Sequence, residues 1–227
     1  MEHPNGVTTI DAAYIRPGFA ASHLIIENDH AAFVETGTSF SVPGLLTVLE
    51  KKGIVRENVD YVMVTHVHLD HAGGAGALLQ LLPNANLVVH PRGARHMVDP
   101  SKLVEGTALI YGRERFQSLY GEVVPVPEDR LLVAGDDWHL DLQGRPFYFL
   151  THRDIRGTTT ASSTSATGIS LPETTSECPI GNWIIIMVLS SFPPPPRFSS
   201  TRLPCTAPST GSLHRNPGMP SSLISGG

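Results

Sequence analysis

Residues 65–74 read T-H-V-H-L-D-H-A-G-G. Three imidazoles and a carboxylate (His66, His68, Asp70 and His71) fall within six consecutive residues. They follow the apolar run Tyr61-Val62-Met63-Val64, which predicts a buried strand over 61–65. Side chains alternate along an extended segment, so His66 and His68 share one side of it. The chain then turns, bringing Asp70 and His71 round, and Gly73-Gly74 open a helix predicted over 75–82. Neutral imidazole and carboxylate oxygen are the donors that Zn²⁺ and similar borderline ions prefer. The chain carries eleven histidines, so a chance pair of neighbours is unremarkable. That abundance does not produce H-x-H-x-D-H set between a strand and a glycine-led helix. The four residues are a metal-ligand set.

Working outward, the runs 21–26 and 31–35 are largely apolar and are separated by Asn28-Asp29, a hairpin signal. Helix is expected over 43–52, with Pro43 in the first turn, and over most of 101–120. Further strands are expected at 86–90, 123–126, 131–133 and 146–150, with a hairpin from Asp136-Asp137 to Gly144. His90 ends a strand beside Pro91 and reads as a structural histidine. His96 and His139 read as surface residues. No G-x-G-x-x-G or G-K-[ST] completes a phosphate loop at Ala72-Gly73-Gly74, and no G-x-S-x-G supports a serine nucleophile.

The H-x-H-x-D-H segment, together with the Glu35-Thr36-Gly37 turn and the hairpin at 136–144, resembles the metallo-β-lactamase superfamily over residues 8–152. The resemblance implies an α/β (α+β) fold, the αββα sandwich, with its N-terminal half in residues 1–152. It implies a metal-dependent hydrolase whose metal-bound hydroxide attacks an ester, thioester, lactone, lactam or phosphoester. His66, His68 and a histidine from an H-T-P-G-H loop would hold one metal. Asp70, His71 and a terminal histidine would hold a second, with the aspartate of a G-D pair bridging. Asp70 is the implied catalytic residue, orienting the hydroxide and receiving its proton. Zinc, two per site, is the implied cofactor, with iron or manganese as the alternatives.

Composition sets the class. At 227 residues the chain suits one domain with a sizeable core. A net charge of −5 and a pI near 6.1, with no basic run, give no case for nucleic acid. Residues 1–11 are polar and carry no leader-like apolar stretch, and the run 183–189 is too short to span a bilayer. Two cysteines, Cys178 and Cys205, make no disulfide framework. The expectation is a cytoplasmic protein acting on a small molecule, without nucleic acid or membrane as partner.

A seam divides the chain near residue 152. All five tyrosines precede it, and the last lysine is Lys102. Residues 153–227 hold 14 Ser, 10 Thr and 10 Pro, the composition of a disordered tail. The ligands expected beyond Leu150 are absent in this frame. Codons for residues 150–155 can be chosen as CTC ACA CAC CGG GAC ATT. Read from the third base they give CAC ACA CCG GGA CAT, which is H-T-P-G-H. In the same offset, residues 171–176 supply F-T-G-D-N-F, residues 182–192 supply E-L-D-H-H-H-G-P-F-I-F, and residues 219–225 supply H-A-F-L-T-H-F. Only the first base of each shifted codon is free, so three landmarks in order are hard to obtain from codon choice. A one-base deletion near the Leu150 codon accounts for them.

As written, the chain keeps His66, His68, Asp70 and His71 and lacks the three later ligands. Each metal would keep two protein ligands where a catalytic zinc keeps three. His152 is the nearest substitute, in a different register. With the C-terminal half of the sandwich not formed, apolar surface and strand edges would be exposed. Two further readings therefore stay open: an inactive frameshifted remnant, or a weak metal-binding module built on the four-residue cluster alone.

Overall fold

The apolar runs on either side of Asn28-Asp29 fold back on one another. Strands β3 (Ala21–Glu27) and β4 (His30–Val34) pair antiparallel. Asn28 and Asp29 both take positive φ, 47° and 63°, the left-handed pair that a two-residue hairpin loop requires. Strands β2 (Val7–Asp11) and β1 (Glu2–His3) extend this sheet, also antiparallel. The computed structural model describes residues 1–152, Pro4 excepted, and residues 183–188.

Beyond β4 the pairing becomes parallel. Strands β5 (Val59–Met63), β6 (Asn86–Val89) and β7 (Leu131–Val133) add in turn, giving a seven-stranded sheet in sequence order. A parallel neighbour cannot be reached by a tight turn, so helices make each crossover. Helix α1 (Val42–Lys51) joins β4 to β5, and α2 (Leu69–Ala72) with α3 (Ala75–Leu81) joins β5 to β6. Helices α4 (Pro91–Val98), α5 (Ser101–Tyr111) and α6 (Arg113–Tyr120) join β6 to β7. A second, antiparallel sheet is built from β8 (Trp138–Leu142), β9 (Arg145–His152) and β10 (Trp183–Val188), with β9 in the middle.

The alternation of the strands sorts the core into two layers. Leu24, Phe33, Val62, Leu87 and Val89 face the helices, packing on Leu45, Leu49, Leu78 and Leu79. Their neighbours Ile25, Ala32, Val34, Met63 and Val88 face the second sheet and meet Leu142, Phe147 and Phe149. Period-two patterning thus fixes a helix–sheet–sheet stack, three layers of the expected four. The fold is mixed α/β. Among the described residues no helix is long and apolar enough to cross a membrane.

Three local expectations change. Residues 123–126 form no strand; their backbone lies across α3, where a Cβ on Gly76 would collide with the Val124 carbonyl oxygen. The Val126 N–H instead donates to Met97 O at 2.8 Å. The long helix expected over 101–120 is broken at Gly112, whose φ of 82° ends α5. Helix α4 is new: Pro91 fits its first turn, and the His90 side chain accepts the Arg92 N–H. The expectation of an irregular, coreless tail falls on residues outside the described ones, except that Trp183–Val188 pairs along β9.

Arg130 ties the end of α3 to β6. Its guanidinium donates to the carbonyls of Leu79 (2.8 Å), Leu82 (2.5 Å) and Ala85. The Leu79 and Leu82 carbonyls otherwise accept only long bonds, from the Leu82 N–H (3.3 Å) and the Ala85 N–H (3.4 Å), so the guanidinium supplies their shorter, charge-assisted partner. Arg130→Met is expected to destabilise the domain by about 2–4 kcal/mol, read from the urea midpoint at unchanged slope. A midpoint equal to wild type would mean that water satisfies these carbonyls.

Candidate metal centre

The parallel strands β4, β5 and β6 end on one edge of the sheet, and the chemistry collects there. Glu35 follows β4, Thr65-His66 follow β5, and His90 follows β6. Crevices at the carboxyl ends of parallel strands are where such sheets bind ligands, because each crossover loop diverges there.

Glu35 takes φ 62°, a left-handed conformation uncommon outside glycine. This turns its carboxylate inward, where the residue is only 4% exposed. Oε1 accepts the Thr65 N–H at 2.9 Å, tying the end of β4 to that of β5. Oε2 lies 3.4 Å from His71 Nδ1, an ion-pair contact without hydrogen-bond alignment, and has no hydrogen-bond partner among the described residues. The neighbouring turn is locked to the metal-site loop. The Thr36 N–H (2.7 Å) and hydroxyl (2.9 Å) both donate to the His71 carbonyl, and the Gly74 N–H donates to Gly37 O at 2.9 Å. A Cβ on Gly74 would sit 2.6 Å from Thr38 O, so only glycine admits this approach.

Around that scaffold the imidazoles converge. The His66 ring centroid lies 4.2 Å from that of His71 and 4.8 Å from that of His68. Thr65 Oγ1 is 2.9 Å from His66 Nδ1, a bond that fixes the orientation of the ring. His68 is the N-cap residue of α2, with extended backbone and no capping bond from its side chain. The short helix then brings Asp70 alongside, Oδ2 lying 3.6 Å from His71 Nε2. His71 therefore stands between two carboxylates, Glu35 on its Nδ1 edge and Asp70 on its Nε2 edge.

Electrostatics prepare the set for a cation. Burial pushes His66 down to about 3, with His71 and His68 adding to the effect and Glu35 opposing it. Burial likewise lowers His68 against the pull of Asp70. Both rings are neutral near pH 7, the form that ligates metal. Burial acts to lower His71 as well, but the Glu35 carboxylate outweighs it and the net shift is upward. Glu35 is held below the usual carboxylate range: burial raises it, and His71, His66 and the Thr65 N–H together prevail.

Each of Glu35, His66 and His71 offers a ligand atom within 4.8 Å of the others. The donor types and the partnerless Glu35 oxygen fit a divalent ion. Of the four residues named from sequence, His66 and His71 belong to this tightest group, His68 packs edge-on against His66, and Asp70 flanks His71. Glu35 had been read only as part of a turn. Its depth and its contact with Nδ1 suit the carboxylate–histidine–metal arrangement, in which the carboxylate orients the ligand ring from behind. The signal was the acidic residue of the E-T-G turn at a strand end. His90 caps α4 through Nδ1, as its structural reading expects. His152 ends β9, and its side chain is outside the described ones.

A family model described as "Metallo-beta-lactamase superfamily" matches residues 15–160, more than half of the chain. Similar solved structures include a Cronobacter sakazakii metallo-beta-lactamase with a HARLDQ motif, 21% identical, covering 64% of this chain and 51% of that one, with a TM-score of 0.46. The native FEZ-1 metallo-beta-lactamase from Legionella gormanii is 20% identical, covering 66% and 54%, with a TM-score of 0.47. MEM-A1, a subclass B3 metallo-beta-lactamase from a soil metagenome library, is 18% identical, covering 64% and 49%, with a TM-score of 0.47. The chain spans about half the length of these structures. No curated protein matches it. By the family model, with its His66-x-His68-x-Asp70-His71 cluster at the carboxyl edge of the parallel strands, the chain belongs to the metallo-beta-lactamase superfamily.

Proposed function

We propose that this chain carries the N-terminal half of a metal-dependent hydrolase site acting on a small cytoplasmic ester, thioester, lactone, lactam or phosphoester. The observation that carries the reading is the meeting of His66, His68 and His71 with Asp70 and Glu35 at one sheet edge. His66, His68, Asp70 and His71 would hold the metal, zinc by donor type, while Glu35 holds the His71 ring in place. When bound, the metal supplies a nucleophilic hydroxide near neutral pH and polarises the electrophile. The Asp70 carboxylate, half-buried and next to His71, would orient the attacking oxygen and take its proton. A neutral imidazole has one unprotonated nitrogen, the form in which His66 and His68 would ligate a metal.

The missing ligands belong to the reading as well. A base lost near the Leu150 codon leaves this chain with an open shell, so the chain as written is expected to hold zinc exchangeably. Zinc competition against a chromophoric chelator tests the assignment. His66→Ala and His68→Ala are each expected to weaken zinc binding about tenfold or more, and His96→Ala not at all. Wild-type affinity in the double variant His66→Ala/His68→Ala would remove the metal centre from this edge.

A further inference from the structure

Away from the metal centre, two further imidazoles converge on a single atom. Thr9 Oγ1 lies 2.8 Å from His3 Nε2 and 3.1 Å from His23 Nδ1. The three residues come from three neighbouring strands, β1, β2 and β3. Register puts them on one face: Thr9 stands opposite His23, and His3 stands opposite Val7, two residues before Thr9. Val7 and Ile25 pack on that same face, the one turned toward the second sheet. His3 is exposed, while Thr9 and His23 are half-buried, so the group is open to solvent on the β1 side.

The strands hold the arrangement in place. Asn5 and Gly6 take φ of 66° and 71°, the left-handed pair that folds β1 back on β2. Met1 and Thr9 exchange both backbone bonds at 2.8 Å. Next to His3, Glu2 alternates to the opposite face, where its Oε1 lies 2.6 Å from Lys52 Nζ and pins β1 to the end of α1.

The hydrogen bonding among these groups points to a cation. A hydroxyl carries one hydrogen, so Thr9 can donate to only one of the two rings, and the other ring must donate to it. A cation in place of that ring proton lets both imidazole nitrogens act as electron-pair donors at once. Burial pushes His23 below its ordinary value, against the pull of Glu35 and with His3 adding to the fall. The ring is therefore neutral near pH 7, and protons compete little with a metal for it. The buried Glu35 carboxylate also puts a negative potential at His23, which favours a positive ion there.

We propose that His3 and His23, with Thr9 between them, form a second metal site, a two-imidazole clamp for a late first-row divalent ion, Cu²⁺ foremost. Zinc prefers more protein ligands than this pair offers. Cu²⁺ stands highest in the affinity order and completes its shell with water. Bound copper ties β1 to β3 across β2. The clamp is independent of the hydrolase reading above.

Copper titration of the full-length His66→Ala/His68→Ala variant, with glycine as competitor, tests the clamp without the two imidazoles of the first centre. Electron paramagnetic resonance is expected to show a single copper species coupled to two imidazole nitrogens. Placed in that background, His3→Ala and His23→Gln should each weaken copper about tenfold or more, whereas His139→Ala, at an exposed position, should not. Glutamine at position 23 still offers Thr9 a hydrogen-bond partner, so an unchanged urea midpoint in that variant assigns the loss to the ligand and not to the fold. Copper held equally well by His23→Gln would leave the ion to β1 alone and overturn the proposal. Coupling to one imidazole only, or equal loss in all three variants, would overturn it as well.

Discussion

Inserting one base at the Leu150 codon is expected to turn a weak zinc binder into a two-metal hydrolase. In the proposed two-metal site, the chain as written would present His66, His68, Asp70 and His71, two protein ligands for each ion. A catalytic zinc keeps three, and an incomplete shell leaves the ion exchangeable. The insertion restores H-T-P-G-H directly after Leu150, near the end of β9, and with it the G-D pair and a late histidine. Strand β9 is already pinned to the sandwich by the buried Phe147 and Phe149, so its end, where the restored loop would start, has a fixed position. Purified side by side and dialysed, the restored protein should retain close to two metals. Its hydrolysis of some ester, thioester, lactone, lactam or phosphoester should exceed that of the chain as written by on the order of a hundredfold or more. Equal metal content and equal turnover by the two proteins would show that the four-residue cluster is a sufficient site and that the shifted frame is irrelevant to function.

Removing the Glu35 carboxylate is expected to damage stability and metal binding together. Glu35→Ala leaves the Thr65 N–H without its acceptor and His71 without one of its two carboxylate neighbours, in a position only 4% exposed. Stripping one partner from a buried network of this kind costs about 2–4 kcal/mol, read from denaturant unfolding of the metal-free chain. Zinc affinity should fall about 10- to 100-fold, because the His71 ring loses the group that orients it. Glu35→Gln separates the two effects. The amide oxygen can still accept the Thr65 N–H, so most of the stability should return while the zinc defect persists. Full zinc affinity in Glu35→Gln would reduce Glu35 to a structural tie between β4 and β5.

The site was legible in the sequence as a set but not as a geometry. H-x-H-x-D-H names its members because ligand chemistry depends on residue type and short spacing, which are local. Glu35 escaped that reading: it lies 31 positions before His66, and nothing local distinguishes an inward carboxylate from an acidic turn residue. Only the left-handed backbone at Glu35 and the parallel pairing of β4 with β5 bring it behind His71. The group of His3, Thr9 and His23 escaped for the same reason, His23 lying 14 residues beyond Thr9 on another strand. The segment 123–126 shows the opposite failure. Its valines carry strand propensity, yet the approach to Gly76 and the bond to Met97 O outweigh it.

Continuous apolar runs determined β3, β4, β5, β6 and β9, because a strand whose side chains divide between two cores needs apolar residues on both faces. The Asn28-Asp29 turn was likewise settled by the sequence, through backbone preference. Tertiary structure decided what those local facts could not: which strand ends share an edge, which carboxylate stands behind which imidazole, and which rings meet over Thr9. Those contacts join residues far apart in the chain. They exist only once burial of the two faces of the sheet has fixed the strand order.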